Sequence, residues 1–230
     1  MTGKAGEAKI LPFPLRPRPA APAEIGDLRF RALLPEDRWA RLPAAVRARF
    51  GKRVAHCRTV HYAGEVVECR MSRLGWCLAQ LARLLGAPLP LYRDTLVPAS
   101  VCVSEDEAYG GQFWIRVYGR RRGFPQVIRS SKRFCGPTGL EEYVGRGFGI
   151  ALRAEVEGEA LHFVSDHYFF AVGPLRLRLP RWLAPGELRV SHIDCNHGRF
   201  AFVLRLRHRL FGELVCQTAM FSDPIEEDRR

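Results

Sequence analysis

The chain has 230 residues, 47% hydrophobic and 26% charged, with a formal net charge of +12 at pH 7. That length supports one substantial core and one domain, and that charge asks whether nucleic acid or an anionic membrane is a partner. Only Lys4, Lys9, Lys52 and Lys132 are lysines, and the arginines run from Arg16 to Arg230 without clustering, so the charge does not form the patch that nucleic-acid binding requires.

Residues 1–26 hold Pro12, Pro14, Pro17, Pro19 and Pro22 among Ala and Arg, a composition that reads as a disordered leader. The folded part is expected over residues 27–223, followed by a charged tail over 224–230. Leu42, Val46 and Phe50 fall on one helical face, with Pro43 at its start and Gly51 at its end. Residues 53–71 read as a hairpin turning at Ala63-Gly64. A second helix is expected over 72–86, capped by Ser72 and stopped by Gly86, with Leu74, Cys77, Leu78, Leu81 and Leu85 at helical spacing. Strands then follow near 97–104, 112–119, 125–134, 140–156, 160–172, 187–195, 199–208 and 212–221. They are rich in aromatic and branched residues and bounded by Gly, Pro, Asn and Asp. Several are apolar on both faces, which a sheet covered on one side does not need. The fold class is therefore α+β: a strongly curved antiparallel sheet or barrel of about eight strands with two short N-terminal helices, of a size that encloses one ligand.

Trp114 and Arg116 share a face of one strand while Phe113, Ile115 and Val117 take the other. An arginine beneath a tryptophan stacks on it and holds a carboxylate or phosphate bidentately; the alternative is a salt bridge from Arg116 to an acid such as Glu142. The run H-I-D-C-N-H at 192–197 offers His192, Asp194, Cys195 and His197, all metal-competent types, but the turn-forming N-H-G at 196–198 swings His197 outward. In H-F-V-S-D-H at 162–167, Asp166 and His162 share one strand face and His167 takes the opposite one, so alternation denies neighbours the contact a catalytic dyad needs. The candidate ligand-binding residues are Trp114, Arg116, Glu142, Asp166 and His192. Seven scattered cysteines without a C-x-x-C pair indicate neither a disulfide framework nor structural zinc, and no metal or other cofactor is expected. The stretch L-R-L-R-L-P-R-W-L at 175–183 suits an anionic membrane interface and equally an edge strand guarded by arginines; lacking a second anchor, it is read as the edge.

The segments G-E-V-V-E-C-R-M-S-R-L-G-W-C-L-A-Q-L-A-R-L-L-G-A-P-L-P at 64–90, F-W-I-R-V-Y-G at 113–119, L-R-L-P-R-W-L-A-P at 177–185, G-R-F-A-F at 198–202 and G-E-L-V at 212–215 together resemble, in order, the bacterial domain-of-unknown-function family 4166. The resemblance spans roughly residues 28–222. It departs at C-Q-T-A-M-F, residues 216–221, where the family tends to show Tyr, Gly and Trp. Members occur alone or attached to nucleotide-binding oxidoreductase-like proteins, which implies an oxidoreductase as a possible partner and implies no particular activity. The expected function is a non-catalytic binder of a hydrophobic or amphiphilic small molecule bearing an acidic group. The alternatives are an isomerase- or cyclase-type enzyme acting on an apolar substrate, or an interaction module of an oxidoreductase. The free cysteines, with no apolar run long enough for a membrane span or secretory signal, point to the cytoplasm.

Overall fold

The structure, a computed structural model, describes residues 27–52, 54, 59–173 and 175–224. The expected leader, and the expected tail beyond Pro224, lie outside the described residues.

The helices α1 (Glu36–Arg41) and α2 (Ala44–Phe50) come first, and α2 begins after Pro43 and ends at Gly51, as its sequence dictates. Trp39, Leu42, Val46 and Phe50 are buried. The helix α1 was not anticipated, because six residues are too few to carry a readable 3.6 period. Next come β1 (Thr59–Met71) and α3 (Arg73–Leu81), continued by a 3₁₀ turn over Ala82–Leu85. Ser72 caps α3 by accepting from the Gly75 amide at 3.0 Å, and Gly86 ends the run in the left-handed region at φ 103°. The remaining strands are β2 (Val97–Asp106), β3 (Gly111–Tyr118), β4 (Gln126–Arg133), β5 (Leu140–Gly145), β6 (Phe148–Glu157), β7 (Ala160–Val172), β8 (Leu175–Arg178), β9 (Glu187–Asp194), β10 (Arg199–His208) and β11 (Gly212–Ser222).

Ten of these strands close into an antiparallel barrel, β1 to β7 followed by β9, β10 and β11, with β11 pairing back onto β1. The short β8 stays outside, paired with β7. The barrel is thus confirmed, and the count of about eight strands is corrected. Two local readings are corrected as well. The expected hairpin at Ala63-Gly64 is one continuous strand; Gly64 is there because a Cβ would collide with the Met220 carbonyl and the Phe221 ring of β11. Conversely, the expected strand over 140–156 is a hairpin, β5 and β6, turning at Arg146-Gly147 with positive φ at both residues.

Alternate side chains of each strand fill the barrel, and Phe163, Phe200, Phe221, Leu140 and Leu161 are almost wholly excluded from solvent. Burial of each such side chain contributes about 1.5–3 kcal/mol. Because the barrel is antiparallel, alternate connections share an end. The connections 107–110, 134–139, 158–159 and 195–198 lie at one end, which α1 and α2 close. Arg49 of α2 fastens that closure, donating at 2.8 Å to Asp194 and to both carboxylate oxygens of Asp223, with its guanidinium 4.4 Å from the Phe200 ring centroid. The connections 72–96, 119–125, 146–147, 173–186 and 209–211 lie at the other end.

Candidate functional site

At that second end the barrel wall is incomplete. The N-terminal half of β7 pairs with β9 over Leu161–Val164, whereas its C-terminal half pairs with β8. The gap between β7 and β9 is spanned by the segment after β8, held where the Tyr168 hydroxyl donates to the Gly186 carbonyl at 2.8 Å and the Leu179 amide donates to the Tyr168 carbonyl at 2.8 Å. Behind this strap opens a cavity of about 290 Å³. The strap gives it Leu179 and Leu183, α3 gives Leu78 and Leu81, its 3₁₀ extension gives Leu85, and β6 gives Phe148 and Ile150. α3 comes close enough to form this wall because Gly75 packs against the Leu214 backbone, where any Cβ would collide.

Two charged side chains line this apolar space, Arg116 and Glu142. They sit at its inner end, where strands β3, β4 and β5 place Arg116, Ser130, Lys132 and Glu142 on the inner face. Arg116 Nη2 donates to Ser130 Oγ at 2.6 Å and to Glu142 Oε1 at 3.1 Å. Lys132 Nζ lies 2.8 Å from Glu142 Oε2. Two cations thus share one carboxylate, and Arg116 Nε is buried without a hydrogen-bond partner among the described residues. Burial pushes the Glu142 carboxyl up, but Lys132 and Arg116 more than offset this and hold it at about 2. Burial lowers the Lys132 ammonium, opposed by Glu142 and reinforced by Arg116. Glu142 is therefore a fixed anion, and the cluster has more positive than negative charge to satisfy.

Further along the axis the barrel narrows to spaces of about 40 and 30 Å³. Trp114 lies between them, its Nε1 donating to Gln112 Oε1 at 3.2 Å. At the closed end His192 stacks on Phe200 with centroids 4.8 Å apart and meets Phe50 and Phe202 edge-on. Neither of its ring nitrogens has a partner among the described residues, and burial, with Arg49 adding to it, lowers its pKa to about 3.

A family model described as Domain of unknown function (DUF4166) matches residues 42–221. The chain belongs to that family. The DUF4166 match runs from the barrel-closing α2 to the end of β11 and so takes in the whole cavity. No curated protein and no solved structure matches the chain.

In this DUF4166 domain the five residues singled out from sequence occupy four places. Arg116 and Glu142 meet in the cavity, and the salt bridge between them is the contact foreseen as the alternative. Trp114 lies deeper, and the cation over its ring is Lys132 Nζ, 4.9 Å from the centroid, instead of Arg116. His192 is inside the barrel at the opposite end. Asp166 is on the outer surface, bound to Arg153 Nη1 at 2.8 Å and His167 Nδ1 at 2.7 Å. That contact corrects the expectation that alternation keeps Asp166 and His167 apart. The register slips by one between β6 and β7 at this point, so a bulge lets adjacent side chains meet. Asn196, His197 and Gly198 do form a turn with positive φ, and Asp194 is taken by Arg49. Among the described residues no group of three or more His, Cys, Asp or Glu side chains is placed to hold a metal ion. Sequence reasoning missed Lys132. Its signal was its rarity, one of four lysines in an arginine-rich chain, on the same strand face as Ile128 and Ser130.

Proposed function

We propose that this chain binds, without transforming, a hydrophobic or amphiphilic small molecule whose tail fills the 290 Å³ cavity and whose acidic group meets Arg116. The observation that carries this reading is the charge arrangement at the inner end of an otherwise apolar space: two cations, one carboxylate, and a buried guanidinium Nε with no partner among the described residues. A ligand carboxylate or phosphate there completes the guanidinium's hydrogen bonds and balances the excess charge, while the walls take the tail at about 25 cal/mol per Å² of apolar surface. A cavity of this size has room for about ten water-sized groups. Binding is favoured over an isomerase or cyclase because the carboxylate facing the cavity is pinned ionised by two cations, far from the near-neutral pKa that a general base requires. Tyr168, the other titratable group on the wall, is raised by burial and already donates to Gly186.

Native mass spectrometry of gently purified protein tests this reading. The expected spectrum contains a non-covalent adduct that leaves as an anion on activation and is depleted in Arg116→Lys, which keeps the charge but loses the planar fork. Bare protein in both samples, or an added apolar substrate converted to a new mass, contradicts it.

A further inference from the structure

The two ends of the barrel differ in what their connections expose. The five connections around the cavity mouth contain eleven arginines and one acid, Asp94, whereas the four at the closed end contain Glu107 and Glu159 and no Lys or Arg. At the closed end α1 carries acids among its arginines, Glu36 pairing with Arg31 of the preceding turn and Asp37 with Arg41, while α2 has no acid of its own and its Arg49 is bound to Asp194 and Asp223. Large apolar side chains follow the same division. At the mouth Phe124 is 92% exposed, Trp182 80%, Leu210 83% and Leu84 66%, each from a different element, and the closed-end connections expose Tyr109 alone in this class. Each mouth element pairs its apolar group with arginine: Arg122 with Phe124, Arg181 with Trp182, Arg209 with Leu210, Arg83 with Leu84.

We propose that the mouth end docks flat on an anionic lipid bilayer, with these apolar side chains entering the interface and the surrounding arginines facing the head groups. Exposed aromatic and leucine side chains ringed by arginine are the chemistry of an interfacial anchor, and the excess of one charge sign at that end complements a negative leaflet. The L-R-L-R-L-P-R-W-L stretch, read from sequence as a guarded edge for want of a second anchor, acquires three in space: the tips of the β3–β4 and β10–β11 turns and the 3₁₀ turn after α3. Contact is through the end and not the wall. The outer wall carries Arg129, Arg153 and Arg205, charges that a lipid-facing barrel excludes, and among the described residues no helix is long and apolar enough to cross a membrane. The docked face surrounds the cavity opening, so an amphiphile passes between bilayer and barrel without crossing water. Docking itself does not depend on what the cavity holds.

The test is flotation of the full chain with vesicles of phosphatidylcholine, with and without phosphatidylglycerol. Arg122, Arg181 and Arg209 are exposed and make no ion pair among the described residues, so their replacement leaves the fold intact, which a thermal melt checks. The expected result is flotation with anionic vesicles only, weakened by added salt, with the triple variant R122A/R181A/R209A losing about fivefold per arginine, on the order of a hundredfold together. Trp182→Ser is expected to weaken flotation without changing the melt. Three results each overturn the proposal: equal flotation with neutral vesicles, no flotation with either, or unchanged flotation of a folded triple variant. Concentration-dependent dimerisation in sedimentation, abolished by Trp182→Ser while flotation is unaffected, assigns the face to a second copy of the chain and overturns it as well.

Discussion

Glu142→Gln is expected to destabilise the barrel by ~3–5 kcal/mol, a large effect for a single amide-for-carboxyl exchange of nearly equal shape. The cause is electrostatic. Glu142 is the shared counter-charge of Arg116 and Lys132, and all three side chains are largely withdrawn from solvent; removing it strands two cations against Trp114, Phe163 and the aliphatic wall. Adding Lys132→Met to Glu142→Gln is expected to recover about half of the loss or more, because it removes one stranded cation and fills its volume with apolar atoms. The pH profile carries the same signature. The Glu142 pKa falls from 4.5 unfolded to about 2 folded, so its contribution of roughly 3 kcal/mol is complete above pH 4.5 and is lost as pH falls through 2. Urea unfolding of wild type and both variants across that window is the measurement. A single-variant loss under 1 kcal/mol shows that the cluster does not hold the barrel together.

His192→Phe is expected to raise stability at neutral pH by ~1–3 kcal/mol and to flatten the acid limb of the stability curve. The imidazole sits among Phe50, Phe200 and Phe202 with both nitrogens unpartnered among the described residues, and each buried polar atom left without a hydrogen bond costs on the order of 1–3 kcal/mol. Its folded pKa is depressed, from 6.5 to about 3. Between those values the unfolded chain binds the proton and the folded one does not, so stability falls progressively as pH drops below 6.5 and stops falling near 3. The full swing is of order ~3–5 kcal/mol. Phenylalanine has no proton to take up and removes this dependence. Thermal melts between these pH values decide the point, and a variant less stable than wild type at neutral pH contradicts it by indicating that the imidazole is hydrogen-bonded in solution.

The parts of this fold that were legible in the sequence are those where one local rule acts alone. Ser72 and Gly86 bracket a helix because a cap and a left-handed stop are chain-local chemistry, and the strands β7, β9, β10 and β11 announce themselves through branched and aromatic residues. Glycine misled in both directions. Gly64 looked like a turn and is a close backbone approach, while Gly147, inside the stretch 140–156 read as one strand, is a hairpin turn, because only tertiary neighbours distinguish these uses. The site was half legible. Strand parity placed Trp114 and Arg116 on one face, and Glu142 was correctly seen as the acid within reach. Parity fails across a bulge, so nothing in H-F-V-S-D-H told that Asp166 and His167 would meet, or that they face out. Lys132 and the strap over 179–186 were missed because a closed barrel brings together strands far apart in the chain, and no periodicity encodes which inner face sits at which depth.

The most direct measurement is a calorimetric titration of the purified chain with decanoate, decanol and decylamine, three probes sharing a tail sized to the cavity and differing in head group. Stoichiometric binding of decanoate is expected, with the alcohol weaker by roughly tenfold or more, the amine without measurable binding, and Arg116→Lys reducing decanoate affinity by about tenfold while the melt stays close to wild type. Equal affinity for all three probes, or decanoate binding unaltered by Arg116→Lys, contradicts an acid-recognising pocket built on the Arg116–Glu142–Lys132 cluster.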